Sequence, residues 1–288
     1  MAPRLGLGHD SASSFHASKG YSIPPTKTKE EIEMAKATLP KVLALDSKTC
    51  TVEEIVDAMK VTGGVIIRNA VSHDALDLIE SHEKTFATSK PQIMNTVCFS
   101  INPGAHAQPL HRDDWCYQVV AQKADRYPDD LQRDTGIGWF VAGKDATFEN
   151  GATRFIPGSH LWEHGREPDD NLVSYAELKR GDAFMMFASC YHGGGANTTK
   201  DQERLLFSCF MTRGWLRQEE NQYISFTREE TLAMDKDVQK IAGYQLSEPF
   251  LGWVKSTDPM VVLDPSAGVG NKDLFQKEDS FAKTAQPA

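Results

Sequence analysis

Apolar and polar positions along this chain fall into two textures. Before about residue 90 the spacing is helical. Thr28-x-x-Glu31 is a capping box that predicts a short helix, and Pro40 requires that helix to stop. Thr51-x-x-Glu54 opens a second helix with Val52, Ile55, Val56 and Met59 on one face, and Gly63-Gly64 closes it. Val65-Ile66-Ile67 then reads as a buried strand, and Ser72 caps a third helix that turns Leu76, Ile79 and Phe86 inward. From about 94 to 215 the pattern becomes short β-rich runs, at 97–101, 115–120, 137–141, 183–187 and 205–211. Turn clusters separate them: Pro103-Gly104, Glu149-Asn150-Gly151, Pro157-Gly158 and Arg180-Gly181-Asp182. Thr227-x-x-Glu230 caps one late helix, predicted to reach about Tyr244.

The pattern predicts a mainly β domain with flanking helices, its core an antiparallel sandwich or barrel of jelly-roll type with an open mouth. Residues 1–27, rich in Ser, Gly, Pro and Lys, read as a flexible N-terminal segment. Residues 28–264 read as a single domain with its β core at about 94–215, and 265–288 as a loose polar tail.

Composition narrows the function. The 288 residues carry a net charge of −9, a field that repels phosphate and argues against nucleic acid or an anionic membrane as partner. No apolar run approaches the roughly 20 residues that cross a bilayer. The N-terminus lacks the apolar stretch of a secretion signal, and the C-terminus is not a peroxisomal address. The five cysteines are odd in number and lack C-x-x-C spacing, so they read as reduced thiols in a cytoplasmic protein.

The candidate chemistry begins at His111-Arg112-Asp113. On a strand or its edge, positions i and i+2 share a face. Alone, H-x-D is close to what chance gives. His192 sharpens it, because it follows the apolar run at 183–187 and opens a Gly193-Gly194-Gly195 stretch where backbone can approach closely. Two imidazoles and one carboxylate with open positions make the facial triad of non-haem Fe(II) oxygenases. Arg204 precedes the next apolar run, and an antiparallel return would aim it into the same cavity, where a guanidinium suits a carboxylate. Thr153 and Gln108 are candidate neutral donors beside it.

These residues, with the segment Glu149-Asn150-Gly151-Ala152-Thr153-Arg154-Phe155-Ile156-Pro157-Gly158-Ser159-His160 and the Arg180-Gly181-Asp182 turn, resemble the phytanoyl-CoA hydroxylase family over roughly 60–215. The resemblance implies a double-stranded β-helix (jelly-roll, cupin-like) core and an Fe(II)/2-oxoglutarate-dependent dioxygenase. It implies His111, Asp113 and His192 as iron ligands, Arg204 on the C5 carboxylate of 2-oxoglutarate, and Gln108 and Thr153 assisting. His-Arg-Asp-Asp-Trp and the compact length are similar to fungal natural-product members, which implies O2 as co-substrate, an apolar small-molecule substrate such as a meroterpenoid or alkaloid intermediate, and a homodimer. Asp113 stands where related halogenases carry a small residue, which disfavours halogenation.

Each feature has a plainer reading. His160 is a candidate neighbour of the metal, but the plainer reading, a structural histidine capping the turn, is preferred. Arg154 and Arg213 either face an anionic group or form ion pairs. Trp115, Tyr117, Trp139, Phe210, Met211 and Trp215 are candidates for an apolar substrate pocket, and most such residues are plain core. Two other functions stay open: a fatty acyl-CoA hydroxylase, disfavoured by the acidic charge, and a non-catalytic partner subunit of the same fold.

Overall fold

A computed structural model describes residues 29–70, 90–128, 132–247 and 251–266. The expected N-terminal segment, the Thr28 cap, the helix from Ser72 and nearly all of the tail lie outside the described residues. Helix α1 is Lys29–Ala37, and helix α2 is Val52–Thr62. The cap of α2 forms as expected. The Thr51 hydroxyl accepts the Glu54 N–H at 3.2 Å, and the Glu54 carboxylate accepts the Thr51 N–H at 2.8 Å. Gly63 ends the helix at φ 78°, donating its N–H to the Met59 carbonyl. A side chain there would be strained by that φ, and its Cβ would stand 2.6 Å from His160 Nδ1.

Among the described residues nine strands follow the apolar runs: β1 Ala44–Asp46, β2 Gly64–Arg68, β3 Gln92–Ile101, β4 Gly136–Ala142, β5 Thr153–Phe155, β6 Ser174–Ala176, β7 Ala183–Phe187, β8 His192–Gly194 and β9 Arg204–Thr212. They form a six-stranded sheet, β1-β2-β7-β4-β9-β3, and a three-stranded sheet, β6-β5-β8. All pairs are antiparallel except β1 with β2. Phe140, Phe184, Met186 and Leu206 of the large sheet pack with Phe155 and Ala176 of the small one, and this cluster fills the space between them. On the other face of the large sheet, Val65, Ile67, Trp139, Met185 and Phe187 pack against Ile55, Ala58 and Met59 of α2. The architecture is therefore a two-sheet jelly-roll core with flanking helices.

Two local expectations fail. The run at 115–120 is not a strand: Asp113–Tyr117 forms a 3-10 turn that ends at Gln118 with φ 55°. The Asp113 and Asp114 N–H groups both donate to the Ala188 carbonyl, which coils the segment, and Trp115 and Val120 stay exposed with no sheet edge beside them. The late helix is two short ones, Arg228–Ala233 and Lys236–Ile241, because Met234 is extended between them.

Candidate active site

His111, Asp113 and His192 meet at one end of the small sheet. His192 begins β8, whose partner β5 lies on one side, and His111 forms an isolated bridge on the other. The two residues exchange both backbone hydrogen bonds, each 2.9 Å. His111 therefore sits on the edge of a strand ladder, while Asp113 opens the 3-10 turn, so the triad does not come from one strand's alternation. The ligand-type atoms of all three lie within 4.8 Å of one another. Asp113 stands 3.7 Å from His111 Nε2 through Oδ1 and 3.6 Å from His192 Nε2 through Oδ2. These separations are too long for hydrogen bonds.

The imidazoles are oriented from behind. His111 Nδ1 donates to the Pro109 carbonyl at 2.9 Å, and His192 Nδ1 donates to the Cys190 carbonyl at 3.0 Å. A carbonyl only accepts, so the proton sits on Nδ1 and each Nε2 presents a lone pair to the shared space. Burial disfavours the charged form of His192 and lowers its pKa. Asp113 Oδ2 is buried without a hydrogen-bond partner, as a ligand atom awaiting a cation would be. The donor set of two neutral imidazoles and a carboxylate suits Fe(II).

Arg204, at the start of β9, is 4% exposed. Its Nη1 donates to the Gly151 carbonyl, its Nε has no partner, and no carboxylate pairs with it among the described residues. Burial alone lowers its pKa from 12.5 to about 10. Gly194 makes the approach possible, since a Cβ there would stand 3.1 Å from Gln108 Oε1 and 3.2 Å from Arg204 Nη2. The Gly194 N–H donates to Gln108 Oε1 at 2.8 Å, which turns the Gln108 amide nitrogen toward donating elsewhere.

His111, Asp113, His192, Arg204, Gln108 and Thr153 all line one cavity of about 200 Å³ between the sheets. Of the six aromatic and apolar pocket candidates, only Phe210 lies on its wall. Trp139 and Met211 are buried on the α2 side, because their strand neighbours Phe140 and Phe210 take the cavity side and adjacent residues alternate. Trp115 is half exposed against Tyr191, Tyr117 donates to the Arg217 carbonyl at 2.7 Å, and Trp215 lies under Arg213 at 5.1 Å. Met94, Asn95, Phe99 and Glu219 line the cavity without having been singled out from the sequence.

Asp114 is buried in a bidentate ion pair with Arg112 and points away from the triad. His160 is remote from the centre: it lies fully buried beside Tyr127 and Phe187, with Nε2 donating to the Lys60 carbonyl at 2.9 Å. Arg154 pairs with Asp170 and donates to the Gln108 carbonyl at 2.6 Å, bracing the loop that carries Gln108.

The sequence pattern of the phytanoyl-CoA dioxygenase (PhyH) family matches residues 43–205, more than half of the chain. The chain belongs to the phytanoyl-CoA dioxygenase family. Relatives within it include the dioxygenase cnsJ of Penicillium expansum, 40% identical over 64% of this chain and 56% of that one. The dioxygenase himG of Aspergillus japonicus is 31% identical over 76% of this chain and 89% of that protein. The chain thus spans little more than half the length of cnsJ and most of himG. Among solved structures, the non-haem alpha-ketoglutarate-dependent epimerase SnoN from nogalamycin biosynthesis superposes with a TM-score of 0.41 at 14% identity, covering 57% of this chain and 83% of that one. No helix among the described residues is long and apolar enough to cross a membrane.

Proposed function

We propose that this family member is an Fe(II)/2-oxoglutarate-dependent dioxygenase that oxidises an unactivated C–H bond of a small, largely apolar molecule, of the meroterpenoid or alkaloid kind made in fungal secondary metabolism. The observation that carries the reading is the buried guanidinium of Arg204, without a carboxylate partner among the described residues, in the same cavity as a His-Asp-His triad. A metal site alone has many uses. A metal site facing an unneutralised buried cation calls for a ligand that chelates the metal and ends in a carboxylate, and 2-oxoglutarate is such a keto-diacid.

His111 and His192 would hold the ion through Nε2, and Asp113 through its carboxylate. Arg204 would take the distal carboxylate of 2-oxoglutarate, with Gln108 and Thr153 as neutral donors beside it. Bound iron and 2-oxoglutarate together supply O2 activation, with decarboxylation to succinate and CO2 and removal of hydrogen from a C–H bond. The chain's own contribution is placement. Carbonyl-anchored imidazoles keep the ligand set from rotating, and Val97, Phe99, Phe140, Leu206 and Phe210 give an apolar wall against which a hydrocarbon skeleton can rest near the centre. The relatives named dioxygenases in Penicillium and Aspergillus support the assignment of reaction class.

Anaerobic titration of the protein with Fe(II) and 2-oxoglutarate should give a weak visible charge-transfer band, and air should release succinate. His111→Ala and Asp113→Ala should abolish both. Wild-type succinate release from either variant would overturn the ligand assignment.

A further inference from the structure

One wall of the cavity carries chemistry that neither the metal nor 2-oxoglutarate uses. On β3, the pairing with β9 runs from Ile93↔Met211 to Asn95↔Phe210, so Met94 is an extra residue in a β-bulge. Bulges re-aim side chains beside binding sites. Here Asn95 joins Val97 and Phe99 on the cavity side. The bulge also frees backbone acceptors. The Met94 carbonyl accepts the Glu220 N–H at 3.1 Å, and the Ile93 carbonyl accepts the Gln218 side-chain amide. Glu219 lies between those two tethers and is held at the cavity rim.

There Glu219 accepts a hydrogen bond from Asn95 Nδ2. This contact fixes the Asn95 amide with Oδ1 turned the other way, and Oδ1 is buried with no partner. Glu219 pairs with no Lys, Arg or His among the described residues. The wall therefore offers the Glu219 carboxylate as an acceptor, oriented by the Asn95 amide that donates to it. With Fe(II), Asp113, Arg204 and dianionic 2-oxoglutarate in place, the formal charges at the centre cancel, and the Glu219 carboxylate remains without a counter-charge. The chain's net charge of −9 adds a field that draws cations inward.

We propose that Asn95 and Glu219 form a substrate subsite for a protonated amine nitrogen, so that the molecule oxidised is a basic, otherwise apolar amine. The proposal rests on the dioxygenase reading only for what the cavity does to its guest. Recognition itself depends on the rim. The amine N–H groups donate to the Glu219 carboxylate, which Asn95 holds in place, while the hydrocarbon part lies on Phe99, Phe140 and Phe210. A neutral alcohol offers one donor and no charge, and an acid is repelled.

The test is calorimetric titration of 2-phenylethylamine, 2-phenylethanol and 3-phenylpropionate into protein loaded with nickel(II) and 2-oxoglutarate. The amine should bind about tenfold or more tighter than the alcohol, in line with a charge-assisted hydrogen bond. In Glu219→Gln the gap should shrink to about twofold or less, and Glu219→Lys should turn the preference toward 3-phenylpropionate. Equal binding of amine and alcohol overturns the proposal. So does a preference that survives Glu219→Gln, as direct ligation of nickel by the amine would give. Titrating 2-oxoglutarate in the same samples separates the two readings. If it does not bind, the dioxygenase assignment fails, and the amine preference measured on unloaded protein still decides the subsite.

Discussion

Replacing Arg204 by Met should separate a residue that serves the fold from one that waits for a ligand. Burial lowers the Arg204 pKa from 12.5 to about 10. At 1.36 kcal/mol per pKa unit, the ligand-free fold carries about 3 kcal/mol of unfavourable charge burial at this site. Arg204→Met removes that cost and forfeits the hydrogen bond to the Gly151 carbonyl, worth about 1.5–3 kcal/mol for a charged donor. The two effects nearly cancel. Unfolding by urea without ligand should therefore give Arg204→Met a stability equal to wild type or up to about 1.5 kcal/mol higher, against the usual loss at a buried position. The ligand-bound state should behave oppositely. With nickel(II) and 2-oxoglutarate at 100 times its dissociation constant, wild type should gain about 2.7 kcal/mol. The variant should gain almost none at that concentration, because an unmatched buried carboxylate costs about 2–5 kcal/mol. A ligand-free loss above about 3 kcal/mol, or equal stabilisation of both proteins by 2-oxoglutarate, would refute the carboxylate role.

Two further outcomes follow from buried polar groups. Burial lowers the His160 pKa from 6.5 to about 4, so the ring is neutral in the fold but takes a proton when unfolded as pH drops below 6.5. Stability from this group is fully present above 6.5 and is lost toward pH 4, by about 2 kcal/mol between pH 7 and 5. Asp134, pushed up to about 6 by burial, acts the other way and adds stability as pH falls through 6. Urea midpoints at pH 7 and 5 should thus rise on acidification in His160→Gln relative to wild type, and parallel curves would sink the assignment. In the buried Arg112–Asp114 pair, Arg112→Met strands a carboxylate and should cost about 3–5 kcal/mol, with most of that recovered by adding Asp114→Leu. Additive losses in a double-mutant cycle would show that the pair is not coupled.

Much of this molecule is legible in its chain. The Thr51 capping box, the run at 183–187 and the return strand from Arg204 all stand where their local chemistry puts them. Strand parity was the harder quantity. Trp139 and Met211 look like pocket residues by type, but shifting one position to Phe140 and Phe210 changes the face, and nothing local fixes that phase when both faces of a sheet are buried. His111 and Asp113 share a site without sharing a strand, since Ala188 pulls the second of them into a 3-10 turn. Asn95 and Glu219 carry no signal at all in the sequence. They are neighbours only because of a bulge at Met94, and a bulge is decided by cross-strand pairing between distant segments.

The reciprocal bridge between His111 and His192 has a mechanical consequence. The two residues are 81 positions apart in the chain, so a cation gripped by both closes a long loop as a reversible crosslink. The folded chain holds the ion and the unfolded chain does not, so binding adds stability by linkage, about 2.7 kcal/mol at a free-ion concentration 100 times the dissociation constant. Iron supply would then govern how long the protein survives as well as whether it turns over, and a chelator would loosen it much as a reductant loosens a secreted domain.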